Sequence, residues 1–230
     1  MRKLLISSMP FVLILMTVSD FLFIALTFRS YKAKKDRIAL LTGILCLGLF
    51  YDSLILSCGS FLQFGPFFKA LSQFRYVLHC LLIPLLFPIC AYSFKADRKL
   101  VIAVWALTAV IMAVGLYSGF HIVTEERVVG AIRRYAQSDN TPAFANTLVS
   151  MLDILPVFFM IGTGAVLSFK KKNPNLMLAG IFMLLFTLAG IFLGKDPNGD
   201  RTQSLMFYIS MFGESFMVFF LYRFILKNEQ

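Results

Sequence analysis

The chain has 230 residues, of which 59% are hydrophobic and 15% charged, with a mean hydropathy of +0.79 and a formal net charge of +10. A soluble domain is about half apolar and about a quarter charged, so this composition argues against a soluble domain, a disordered chain or a disulfide scaffold. The basic residues fall mostly between apolar runs, which is a membrane-topology pattern and excludes a nucleic-acid module.

A bilayer core about 30 Å thick takes roughly 20 apolar residues per helix. Seven such runs follow one another at residues 8–28, 38–60, 76–94, 100–120, 147–169, 176–194 and 204–226. The longest connection, residues 122–146, leaves no room for a soluble domain. The expected fold class is all-α: a polytopic membrane protein forming one seven-transmembrane-helix bundle over residues 1–230.

The first run has a basic start, but Asp20 interrupts it and no small-residue cleavage site follows, so it reads as a membrane helix rather than a signal peptide. The second carries Asp52 in an otherwise apolar stretch. The third carries Arg75 at its outer lip and His79 four residues on, which places both on one helical face. Pro84 follows, removing the amide that would bond the carbonyl of Cys80 and favouring a kink. The fourth contains Gly115-x-x-x-Gly119, a packing motif, and ends on His121, read as interfacial. The fifth carries Asp153 with Pro156 three residues later, and ends on Lys170–Lys172, read with Lys32–Arg37 as anchors for anionic lipid. The sixth holds Gly190-x-x-x-Gly194. The connection after it, residues 196–200, reads as a tight turn rather than a calcium loop. The seventh has Glu214, preceded by Gly213, which opens space for a neighbouring helix. Tyr51, Tyr76, Tyr92, Tyr117 and Tyr222 read as interfacial anchors or packing groups. The four cysteines lie inside spans at no metal-site spacing and read as free, with a Cys58–Cys80 disulfide as the alternative.

Thirteen Lys and Arg fall on the side that includes Lys32, Lys95, Lys171 and Lys227, against nine on the other. The positive-inside rule then predicts a multi-pass cell-membrane protein with its N-terminus outside and its C-terminus in the cytoplasm.

At about 1.5 Å of rise per residue, His79 lies about 6 Å below the outer end of its span, Asp153 about 9 Å, Asp52 about 11 Å, Glu214 about 15 Å and Asp20 about 18 Å. Charges scattered against lipid are expensive, so clustering in a polar interior is expected. Asp52, His79, Asp153 and Glu214 are the candidate catalytic residues. Arg75, able to hold a phosphate or carboxylate, and Asp20 are candidate substrate-binding residues, Asp20 having an equal claim to be a structural hydrogen-bonding acid. His79, Asp52 and Glu214 are the candidate ligands should a divalent metal take part.

Retinal needs a lysine within the seventh helix, and the only lysine there is Lys227 at its end, which argues against a retinal protein. Two histidines are too few for a three-histidine zinc site of the kind found in seven-helix hydrolases. Three classes remain open. The first is an intramembrane, hydrolase-like enzyme acting on a lipid or amphiphile from the outer leaflet. The second is a proton-coupled transporter of a small solute, and the third is a sensor or scaffold without turnover. The partners expected are membrane lipids and a small-molecule or lipid substrate, and no nucleic acid.

Overall fold

A computed structural model of the protein describes residues 2–194 and 204–228. The expected turn at residues 196–200 lies outside the described residues. In chain order the elements are α1 (Arg2–Lys34), α2 (Arg37–Cys58), α3 (Pro66–Leu82), a short 3-10 turn (Ile83–Leu85), α4 (Leu86–Ser93), α5 (Arg98–Phe120), β1 (Thr124–Val129), β2 (Ile132–Gln137), α6 (Ala143–Lys171), α7 (Asn175–Leu193) and α8 (Met206–Asn228). Among the described residues seven helical spans are long and apolar enough to cross a membrane, α3 and α4 acting together as one span of 28 residues.

Local chemistry sets the helix ends. Asp36 and Asp97 begin α2 and α5 by accepting hydrogen bonds from the Ile38 and Leu100 amides at 3.0 and 2.9 Å. Pro66 starts α3 in the first-turn position, where its missing N–H leaves no bond unmade. Pro84 produces the expected break as the 3-10 turn between α3 and α4. Pro156, by contrast, sits within the continuous helix α6.

The consecutive helices α1 and α2, and α7 and α8, pack antiparallel. Between α1 and α2, Thr17 bonds Ser57 and Asp20 bonds Ser53. Between α7 and α8, Phe182 stacks on Phe220 and Phe186 on Phe212. The glycine motifs lie where backbones approach. A methyl at Gly115 would fall 2.7 Å from the carbonyl oxygen of Cys80, and one at Gly119 would fall 3.1 Å from the Val77 Cα, which brings α5 against α3. Gly213 similarly lets α8 meet α7 at Met183 and Phe186. All four cysteines are free.

Two features depart from the expected outline. The third span begins at Pro66, ten residues before residue 76. Its first turns are too polar to register as a span, yet Phe68 and Ser72 are buried. Phe68 packs on Tyr135 of the second departure, a β-hairpin within residues 122–146, and among the described residues the fold is helical except for this two-stranded element. The strands pair antiparallel with Val129 opposite Ile132, leaving Gly130-Ala131 as the turn. Gly130 has φ +59°, which suits the first central position of a type II′ turn.

The hairpin is docked onto one end of the bundle. The Arg133 amide donates to the Gly59 carbonyl at 2.9 Å, and a Cβ at Gly59 would collide with the Arg133 carbonyl oxygen, so only glycine fits there. The Tyr76 hydroxyl accepts from the Gln137 amide at 3.0 Å and donates to the Tyr135 carbonyl at 3.4 Å. Val129 and Ile132 join Met9, Leu13, Leu56 and Tyr208 in an apolar cluster at this end. The main core lies in the opposite half, where Leu45, Leu86, Ile89, Met160, Leu167, Leu176, Leu221 and Phe224 pack together.

Candidate functional site

A cavity of about 370 Å³ lies between the hairpin and the helices, and Asp52, Arg75, His79, Asp153 and Glu214 all line it. Five helices and the hairpin converge on it: α2 brings Asp52, α3 brings Arg75 and His79 one turn apart, α6 brings Asp153, α7 brings Met183, Leu184 and Thr187, α8 brings Glu214, and the hairpin brings Arg127 and Arg134.

Two ion pairs organise the charges. Arg75 Nε lies 3.0 Å from Asp52 Oδ1, with both side chains largely removed from solvent. Arg75 is therefore not at the outer lip; because α3 starts at Pro66, it sits more than two turns into the helix and is buried. His79 Nε2 lies 3.2 Å from Asp153 Oδ1, and these side chains remain 24% and 43% exposed, open to the cavity. A carboxylate facing Nε2 favours a proton on that nitrogen and leaves Nδ1 as the acceptor. Glu214 is 9% exposed, and among the described residues its carboxyl has no hydrogen bond or ion pair.

Asp20 does not line the cavity. It is buried between α1 and α2, where its Oδ2 accepts from Ser53 Oγ at 2.8 Å, so its polarity is matched within the helix pair. His121 lies exposed at the end of α5, its Nδ1 2.8 Å from the Tyr117 carbonyl oxygen and its ring against Tyr117 and Phe144. The candidate metal ligands His79, Asp52 and Glu214 share the cavity but are not grouped as ligands. Among the described residues no three His, Cys, Asp or Glu side chains are placed to hold a metal ion together.

Nothing in the amino-acid pattern singles out the hairpin arginines, since Arg127 and Arg134 register there only as loop charges. Arg127 Nε donates to Glu125 Oε1 at 2.7 Å. Arg134 is 8% exposed, and its guanidinium lies 3.7 Å above the Phe207 ring. Burial, partly offset by Tyr76, together with the nearby Arg75 and Arg127 charges, pushes its pKa down to about 10. That remains well above neutral pH, so Arg134 carries its charge.

A search of protein families finds no match to the chain, and no curated protein matches it.

Proposed function

We propose that the protein is a multi-pass membrane enzyme that hydrolyses a lipid or other amphiphile in the cavity beneath the hairpin. The hairpin faces outward and the C-terminus faces the cytoplasm. The observation that carries this reading is the His79–Asp153 pair, left accessible inside a 370 Å³ cavity. Bilayer placement is supported by the large apolar side chains turned outward around the bundle, among them Phe11, Phe21, Ile102, Val110, Phe158 and Phe192.

In the proposed reaction Asp153 orients His79 and stabilises the imidazolium that forms. His79 Nδ1 removes a proton from a water molecule as its oxygen attacks the ester carbonyl or phosphoryl centre. The protonated imidazole then returns that proton to the departing alkoxide, so the ester bond and water are consumed and an acid and an alcohol leave. Arg75, held in place by Asp52, offers positive charge to the oxygen that becomes negative during attack.

The test is a comparison of wild type with His79→Gln and Asp153→Asn, incubating purified protein with a polar lipid extract and following cleavage products by mass spectrometry. Each variant is expected to lose about 10²–10⁴-fold in rate, as for removal of a general base or its partner, with its melting temperature kept. Product formation that survives both substitutions sinks the enzymatic reading.

Glu214 favours one second reading. A carboxyl buried in the cavity without a partner suits a proton carrier in a coupled transporter. Glu214→Gln should then abolish pH-dependent transport in vesicles while preserving the fold. If transport, turnover and ligand binding are all unchanged, Glu214 is an interhelical hydrogen-bonding group that Gln replaces. Orientation is tested on a background lacking the four cysteines. An impermeant thiol reagent should label a cysteine at Asn140 from outside and leave one at Lys171 untouched, and the reverse pattern inverts the topology.

A further inference from the structure

We propose that Arg134 and Arg127 of the hairpin, together with Arg75 of α3, form a clamp for the phosphate group of an anionic amphiphile. This deepens the cavity reading and rests on it, naming the class of molecule that the cavity takes.

The strand register is the first observation. Arg127 and Arg134 are direct cross-strand partners, so their side chains leave the same face of the hairpin, and that face lines the cavity. Like charges placed opposite one another weaken a sheet, and nothing in hairpin stability calls for them. Arg134 is the second observation. It is buried, its Nε has no hydrogen-bond partner, and no carboxylate among the described residues pairs with it.

Glu214 lines the cavity without an ion pair to Arg134 among the described residues, and the other neighbouring acids are engaged. Asp52 pairs with Arg75, Asp153 with His79, and Glu125 with Arg127. The Phe207 face offsets part of the Arg134 charge, but a ring face accepts no hydrogen bond in the guanidinium plane. A buried cation in this position is strongly disfavoured unless an anion meets it.

The geometry of the donors favours phosphate. Guanidinium groups offer planar forks of N–H donors that fit phosphate oxygens in pairs, and phosphate presents enough oxygens to meet more than one fork. Arg75 lines the same cavity, already paired with Asp52. The hairpin is itself held in place through Gly59 and Tyr76, so the clamp is preformed. His79 and Asp153 line the same cavity as the three arginines.

The test measures binding, so it stands apart from turnover. Full-length protein in detergent is titrated calorimetrically with short-chain phosphatidic acid, inorganic phosphate, a short-chain fatty acid and the matching diacylglycerol. Wild type and His79→Gln should both bind the phosphatidic acid, with no binding of diacylglycerol. Arg134→Gln should weaken that binding by about ten- to a hundred-fold, the range for losing a charge-assisted hydrogen bond. A structural arginine would behave differently on a second measurement. Without ligand, Arg134→Met should melt no lower than wild type, because it removes an uncompensated buried charge.

Equal binding of inorganic phosphate keeps the clamp but overturns the amphiphile as its occupant. Fatty-acid binding as tight as that of phosphatidic acid overturns the phosphate assignment. No binding to wild type, or undiminished binding to Arg134→Gln and Arg134→Met, overturns the clamp. Loss of turnover in His79→Gln with binding retained supports the clamp whatever bond is cut. Binding without any turnover by wild type refutes the enzymatic reading alone.

Discussion

The two ends of the bundle are both rich in cations and treat them in opposite ways. At the end away from the hairpin the lysines are exposed and meet helix C-termini. Lys171 Nζ donates to the Ser93 carbonyl at 3.1 Å and Lys227 Nζ to the Lys172 carbonyl at 2.9 Å. These contacts supply donors to carbonyls that the helix leaves unpaired, and they complement the negative end of the helix dipole. At the hairpin end Arg75 and Arg134 are buried, and Arg127 is largely so. Water can satisfy an exposed lysine, so its position carries little information. A buried arginine must be matched by an acid, a ring or a ligand, and asking which one leads to the site.

The sharpest way to break this contrast is to remove Arg75. Arg75→Ala leaves Asp52 buried without its partner and should lower unfolding stability by about 3–5 kcal/mol, the usual penalty for breaking a buried pair. Chemical unfolding in detergent reads it. At the other end Lys171→Ala should stay within about 0.5 kcal/mol of wild type, as expected for an exposed position. Similar losses for the two variants would erase the distinction between the ends.

Docking of the hairpin is a separate element of the contrast. Gly59→Val places a side chain against the Arg133 carbonyl oxygen and should destabilise the protein by about 1–3 kcal/mol, in the range of overpacking. Its characteristic readout is faster hydrogen exchange at the Gln137 amide, which the Tyr76 hydroxyl holds. Exchange unchanged from wild type would show that the hairpin does not depend on this contact. Tyr76→Phe removes that hydroxyl and should cost about 1 kcal/mol, the net worth of a hydrogen bond, with the same local rise in exchange.

An effect of opposite sign belongs to the basic end. Lys35, Lys95 and Lys172 adopt left-handed backbone angles, φ 55°, 53° and 52°, just past α1, α4 and α6. Lys172→Gly should raise stability by about 1 kcal/mol, because glycine takes this conformation without steric penalty. A drop in melting temperature would mean that the Lys172 side chain contributes more than its backbone strain removes.

Much of the outline is legible in the amino-acid order. Hydropathy is local and additive along the chain, so seven long apolar segments stand out whatever they pack against, and the ionisable residues inside them are conspicuous. Pro84 announces its break because a missing amide is a property of one residue. The hairpin shows only faintly: Val128-Val129-Gly130-Ala131-Ile132 is a glycine turn between β-branched residues, short enough to pass for loop. The start of α3 is hidden for a related reason, since its first turns are mixed in polarity and Phe68 there packs on Tyr135 of that same hairpin.

The helical class, the number of apolar spans, the basic clusters and the set of candidate charged residues all follow from patterns along the chain. How those charges pair follows from the packing of the helices and the hairpin. Asp52 meets Arg75, His79 meets Asp153, Asp20 turns away to Ser53, and Arg134 enters the cavity from a segment that reads as a connector. Hydropathy and helix-ending signals act over a few neighbouring residues and can be read in order. An ion pair between residues 74 positions apart depends on helix rotation and on the register of a distant hairpin, which packing alone sets.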